Sequence, residues 1–201
     1  MNQPAQTGKH PKGLYVLFFT EMWERFGYYL MVGILFLFMT NSSGKGLPKA
    51  MGADVVGTFI ALVYLTPFIG GLLADRYLGY IKSIFIGGAL MAAGYLTIAL
   101  PGEYTAYIAM GLIIVGNGFF KPNISTLLGN MYNREDLRPL KDNAYNIFYM
   151  GINIGAFFCN FVAAILRNRI GWQAAFSAAG VGLIIGLIAL AFNLRHIKAY
   201  D

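Results

Sequence analysis

Three charged side chains and two phenols occur close together inside the first apolar segment of the chain. Glu21, Glu24 and Arg25 are followed by Tyr28 and Tyr29. In a helix, about 100° per residue places all five on one face roughly 140° wide. A charge at the bilayer centre costs at least about 2.5–3.5 kcal/mol, so such residues pair and face a bundle interior or a watery cavity. A structural ion pair is the alternative. Three charges and two phenols on one face are more than a structural ion pair requires, so this face indicates a functional cavity.

The composition explains why these charges must lie in a membrane. Of the 201 residues, 57% are hydrophobic and 12% are charged, against about 25% charged in an average soluble domain. The net charge of +6 comes from basic residues between apolar runs, which argues against nucleic-acid binding. The single cysteine, Cys159, permits neither an internal disulfide nor a structural zinc site, and no metal site is expected. The chain is therefore predicted to be an integral membrane protein.

Apolar segments long enough to cross a bilayer occur six times. A membrane-spanning helix needs about 20 mostly apolar residues, and the first segment is too long and too charged for a signal peptide. The fold class predicted is an all-α membrane protein, with six transmembrane helices in one major-facilitator-type bundle. The predicted spans are Leu14–Met39, Val55–Ala74, Ile81–Leu100, Tyr104–Met131, Asn143–Leu166 and Trp172–Leu194.

The distribution of basic residues predicts how the bundle is oriented. Loops on one side contain nine Lys and Arg residues and loops on the other contain four, and the richer side normally faces the cytoplasm. We therefore expect a cytoplasmic tail over 1–13, the bundle over 14–194, and a cytoplasmic linker start or terminus over 195–201. This predicts a multi-pass protein of the cytoplasmic membrane, in contact with lipid.

A weak internal repeat divides the six segments into two units of three. Tyr64, Ile69 and Gly70 recur 85 residues later as Tyr149, Ile154 and Gly155. Repeats of three helices are common in secondary transporters.

The fourth segment adds a further charge, Lys121, which either extends towards the headgroups or lies deep in the helix. If it reaches the same cavity, Glu21, Glu24, Arg25 and Lys121 sum to zero when all are charged. One proton on a glutamate would leave a net positive cavity suited to a substrate carboxylate. Proton and anion would then bind with positive coupling.

Three motifs carry a resemblance to a known family. They are E-x-x-E-R-F-x-Y-Y over 21–29, G-G-L-L-A-D-R-Y-L-G over 70–79, and F-Y-M-G-I-N-I-G-A-F over 148–157. In these motifs and in their order the chain closely resembles the proton-dependent oligopeptide transporter family (POT/PTR) of the major facilitator superfamily. Members of that family have twelve or more spans, and this chain matches the first six, the amino-terminal half.

The resemblance implies proton-coupled symport of di- and tripeptides by alternating access, with protons as coupling ion and no other cofactor. It assigns proton coupling to Glu21, Glu24, Arg25 and Lys121. It assigns gating to Asp75 and Arg76, in the connection between the second and third helices. It assigns substrate binding to Arg25, Tyr28, Tyr29, Tyr64, Lys121, Tyr149 and Asn153.

Two departures from the family pattern leave other functions open. Many members follow the tyrosine pair with an arginine that helps hold the peptide carboxylate, and Val32 takes that place here. The second bundle is a missing partner, supplied by a continuing chain or another copy. Alternatives are a symporter half for another anionic solute and a non-transporting six-helix sensor or scaffold. An enzyme is not expected, because His10 and His196 lie at opposite ends and no catalytic cluster is evident.

Overall fold

The computed structural model describes residues 9–201, and all the regular structure in that range is helical. The six predicted helices are confirmed. The largest difference in their bounds is at the start of the second helix, which begins at Lys49 directly after Pro48, a residue compatible with a helix start. The helices are α1 (Lys12–Thr40), α2 (Lys49–Leu73), α3 (Tyr80–Ile98), α4 (Thr105–Met131), α5 (Lys141–Arg169) and α6 (Trp172–Phe192).

Five of these helices are long and apolar enough to cross a membrane. The remaining helix, α4, has 27 residues. Its mean hydropathy is lowered by four polar residues, Asn117, Lys121, Asn123 and Asn130. Such polar groups are tolerated in a bilayer when they face the bundle interior, and Asn117 and Asn123 are buried. The protein is an integral membrane protein.

The packing of the helices follows the internal repeat. Helix α1 of the first three-helix unit packs against α5 and α6 of the second unit. Helix α4 of the second unit packs against α2 and α3 of the first. Exchanging the first three helices for the last three converts one set of neighbours into the other. The contact between α3 and α6 maps onto itself under the same exchange. The two three-helix units therefore pack as a pseudo-symmetric pair.

The repeated glycines explain why the two units pack so closely. A Cβ atom on Gly70 of α2 would overlap the backbone carbonyl of Gly118 on α4. A Cβ atom on Gly155 of α5 would overlap the backbone carbonyl of Met22 on α1. Small residues at helix interfaces let transmembrane backbones approach, so the same residue has the same role in both halves.

The connection after α2 is almost entirely helical. A π-helical turn over Ala74–Leu78 continues α2, and Gly79 alone then separates it from α3. Gly79 has φ of 78°, a left-handed conformation that favours glycine. The carboxylate of Asp201 accepts a hydrogen bond of 2.8 Å from the backbone N–H of Ile81. The end of the described chain therefore lies against the start of α3.

We expect Gly70→Ala to destabilise the bundle while Gly57→Ala on the same helix does not. The first substitution forces α2 away from α4, and overpacking of this kind costs about 1–3 kcal/mol. A Cβ on Gly57 meets nothing within 4 Å, so the gain in helix propensity, up to about 1 kcal/mol, dominates there. Thermal unfolding of the two variants in detergent measures the difference. Equal unfolding temperatures would show that Gly70 is not a packing constraint.

Candidate functional site

The charged residues of α1 form a buried ion cluster. Glu24 accepts two hydrogen bonds from Arg25, one from Nε and one of 2.6 Å from Nη2. The Oε1 atom of Glu21, one turn earlier, lies 3.2 Å from Arg25 Nε. All three side chains are 4% exposed or less. A two-point pairing of guanidinium and carboxylate is the strong form of an ion pair, so Glu24 is the main counter-ion of Arg25.

The two glutamates are not equivalent in this cluster. Both oxygens of Glu24 are occupied by Arg25, whereas Glu21 Oε2 is buried and has no hydrogen-bond partner among residues 9–201. The aromatic ring of Tyr28 covers the other side of Arg25, with its centroid 5.1 Å from Arg25 Cζ. A buried carboxylate oxygen without a donor is unfavourable. Glu21 is therefore the carboxylate of the pair that is incompletely paired among the described residues.

Lys121 lies on α4, one helical turn after Asn117, and its side chain is half-buried. Its Nζ is 5.1 Å from the ring centroid of Tyr64 on α2. Helix α4 continues to Met131, which places Lys121 about 15 Å before the C-terminal end of the helix. Lys121 therefore lies well inside α4 and not at its end.

Asn117 joins α2, α4 and the ion cluster, and sequence reasoning did not select it. Inside α2, Pro67 has no N–H, so the carbonyl of Val63 lacks its usual helical partner. Asn117 Nδ2 donates a hydrogen bond of 2.9 Å to that carbonyl. Its Oδ1 accepts a longer bond of 3.5 Å from Arg25 Nη2. A fully buried asparagine therefore compensates a proline and contacts Arg25 at once.

The other predicted residues lie around the cluster or away from it. Tyr29, Tyr64, Tyr149 and Asn153 are exposed on the surface of the bundle. No side-chain hydrogen bond between residues 9 and 201 joins Tyr149 or Asn153 to the charges. Val32 packs against the hydrophobic core.

The predicted gating pair lies on a helical turn and not in a loop. Asp75 and Arg76 are both exposed on the π-helical turn that extends α2. Their expected position between the second and third helices is correct, but the connecting loop itself is reduced to Gly79.

A second buried residue that sequence reasoning missed is Tyr95 on α3. It is 0% exposed, and its phenol has no partner among the described residues. In the sequence it resembles any aromatic of an apolar helix, and no local signal marks it. For Asn117 a signal existed, since Pro67 implies an unpaired carbonyl, but only the packing shows which side chain meets it.

A six-helix membrane bundle of two repeats with buried charges is the architecture of a secondary transporter half. Comparison with known proteins agrees, since residues 81–201 match the model of the POT family. The chain belongs to the POT family.

Relatives that the chain matches are about two and a half times as long. The chain is 42% identical over 190 residues to the uncharacterized transporter YclF of Bacillus subtilis (strain 168), covering 92% of this chain and 38% of that protein. It is 40% identical over 193 residues to a di-/tripeptide transporter of Lactococcus lactis subsp. lactis (strain IL1403), with the same coverage. A crystal structure of the peptide transporter POT in complex with sulfate superimposes with a TM-score of 0.89 at 39% identity, covering 96% of this chain and 40% of that one. The chain thus spans about two fifths of the length of its relatives.

We expect Asn117→Leu to destabilise the protein, and Pro67→Ala to rescue much of the loss. The leucine leaves the Val63 carbonyl buried without a donor, which costs about 1–3 kcal/mol. Alanine at position 67 restores the missing N–H, so the cost of Asn117→Leu should fall by more than half in that background. Unfolding of the four proteins of this double-mutant cycle measures the coupling. An equal cost of Asn117→Leu in both backgrounds would contradict the compensation.

Proposed function

We propose that this chain is the amino-terminal bundle of a proton-coupled symporter of di- and tripeptides, and that it acts as a transporter and not as an enzyme. The observation that carries the proposal is the buried set of Glu21, Glu24 and Arg25, in which one carboxylate oxygen has no partner among residues 9–201. The half-buried Lys121 adds a second cation on α4. Membership of the POT family and similarity to a di-/tripeptide transporter support the choice of substrate.

Glu21 is the proton acceptor in this scheme. With all four groups charged, the set is neutral and Arg25 is held by Glu24 and Glu21. A proton on Glu21 Oε2 weakens the hold of Glu21 on Arg25 and leaves the set with one net positive charge. The positive charge attracts an anionic group of the substrate, so proton and substrate favour each other's binding.

The substrate carboxylate binds between Arg25 and Lys121. The ring of Tyr64 already lies against the Lys121 ammonium, so an entering carboxylate finds a cation that no glutamate pairs directly. Since Val32 packs into the core in place of the family's usual arginine, these two cations carry carboxylate recognition alone. Around them, the exposed surface of Tyr29, Tyr149 and Asn153, together with Tyr28, forms the wall of the peptide pocket.

A second bundle completes the transport path. Alternating access requires two bundles that rock about a site between them, and the relatives are long enough to contain both. Both ends of this bundle face the cytoplasm of a cytoplasmic membrane, following the excess of basic residues in those loops. Asp75 and Arg76, exposed on the turn after α2, then contact the second bundle when the inner gate is closed.

Glu24→Gln should lower proton-driven uptake at least about tenfold and leave peptide exchange in the absence of a gradient intact. A neutral amide cannot accept hydrogen bonds from both Nε and Nη2 of Arg25. The loss of one charged hydrogen bond costs about 1.5–3 kcal/mol, which corresponds to at least about a tenfold loss of uptake. The full-length protein in liposomes, with an imposed pH gradient and then in counterflow, provides the measurement. Glu103→Gln, at an exposed position, is the matched control. Gradient-driven uptake at the full rate would refute the role of Glu24.

Lys121→Ala should weaken the binding of peptides with a free carboxylate far more than that of peptides with a blocked one. Loss of one charge-assisted contact predicts roughly tenfold or more for the free peptide and little change for its amide. Competition binding with the full-length protein compares the two peptides, and Lys82→Ala, exposed on α3, is the control. Equal loss for both peptides would make Lys121 a structural residue.

A further inference from the structure

Helix α5 carries two exposed amides near its middle, Asn153 and Asn160. They are seven residues apart, so at about 100° per residue they lie within about 20° of each other on one side of the helix. Both are within about 8 Å of the midpoint of this 29-residue helix. An amide that faces hydrocarbon without a partner is unfavourable, so this side of α5 requires a polar environment. Asn153 belongs to the wall of the proposed peptide pocket, and Asn160 continues that wall towards the C-terminal end of α5.

The side chain of Asn160 lies against α1 and makes no hydrogen bond within residues 9–201. In that range the side-chain hydrogen bonds of α5 are made by other residues, Lys141, Tyr145, Cys159, Arg167 and Asn168. A Cβ on Gly33 of α1 would be only 2.6 Å from Oδ1 of Asn160, so the missing side chain at Gly33 makes room for this amide. Gly33 is exposed as well. The amide of Asn160 therefore lies at an accessible junction of α1 and α5 with its hydrogen-bonding capacity unused.

The accessible part of α1 leads from the ion cluster to this junction. No residue of α1 over 16–28 is exposed, whereas Tyr29 and Gly33, one turn apart, both are. The ring of Tyr29 packs against Tyr28 with 5.5 Å between the ring centroids, and Tyr28 covers Arg25. A solute that lies against α1 therefore meets it from Tyr29 onwards, in the direction of the junction with α5.

The separation along α1 between Arg25 and Gly33 fits a tripeptide. Eight residues of helix correspond to about 12 Å, and the tilt of helical side chains towards the N-terminus adds to this distance for the guanidinium. An extended peptide spans at most about 3.3–3.6 Å per residue, so a tripeptide is about 10–11 Å long and a dipeptide about 7 Å. With a hydrogen bond of about 3 Å at its far end, a tripeptide whose carboxylate is at Arg25 reaches Asn160. A dipeptide falls short.

We propose that Asn160 binds the amino end of a tripeptide whose carboxylate occupies the proposed site between Arg25 and Lys121. Oδ1 of Asn160 accepts a hydrogen bond from the ammonium group of the peptide. A dipeptide uses the same carboxylate site and leaves Asn160 to water. This inference rests on the proposed function and adds to it a residue that contributes to the affinity for tripeptides and not for dipeptides.

Competition binding of trialanine and dialanine to the full-length protein tests this assignment. Asn160→Leu keeps the size of the side chain and removes both of its hydrogen-bonding groups. We expect roughly tenfold weaker binding of trialanine, the usual effect of losing a hydrogen bond to a charged group. Dialanine binding should be unchanged, which also shows that the variant is folded. Asn143→Leu, exposed on the first turn of α5, is the matched control and should change neither peptide.

Gly33→Ala tests the position of the amide. The added Cβ overlaps Oδ1 of Asn160, and because this atom is at the end of a flexible side chain, the amide moves while the helices stay in place. We expect roughly three- to tenfold weaker binding of trialanine and unchanged binding of dialanine.

Two results would overturn the inference and leave the proposed function intact. They are equal losses for the two peptides in either variant, and unchanged trialanine binding in Asn160→Leu. If the unsubstituted protein bound neither peptide, the proposed function would be refuted and the inference with it. Dialanine binding by the unsubstituted protein therefore separates the failure of one from the failure of the other.

Discussion

The neutralisation of one buried cation, Arg25, is the constraint on which the structure around it depends. A guanidinium does not lose its proton in a protein, so burial at the centre of a membrane bundle requires anions within reach. Glu24 and Glu21 supply them from the same helix, at distances that the helix itself fixes. Removing one partner of a buried pair typically costs about 3–5 kcal/mol. Any event that changes the charge of either glutamate must therefore rearrange Arg25 and whatever contacts it.

The contact between α2 and α4 joins this ion cluster to the rest of the bundle. Asn117 bonds at once to Arg25 and to the carbonyl that Pro67 leaves without a helical donor. Beside it Gly70 lies directly against the backbone of Gly118. No side chains separate the two backbones at this point. The bundle thus has a short physical connection between its ion cluster and α2.

The two faces of α1 separate two kinds of environment. One face presents Arg25 to Asn117 of α4. The other presents Trp23 and its apolar neighbours to a cavity lined by α5 and α6. An α-helix passes through both because its period of 3.6 residues puts Trp23 and Glu24, adjacent in the chain, on different sides. A charged cluster and an apolar cavity therefore lie on two sides of the same turn of α1.

The amino-acid sequence by itself determined the fold class, the six helices, and the grouping of Glu21, Glu24 and Arg25, because hydropathy, length and helical period are local properties. The repeat of Gly70 at Gly155 was also visible in it. Only the tertiary structure decided which oxygen of which glutamate is unpartnered, that Asn117 supplies the donor for Val63, and that a cavity lies behind Trp23. These depend on side chains from helices distant in the chain that meet at distances of 3 to 5 Å, and no local pattern specifies such meetings.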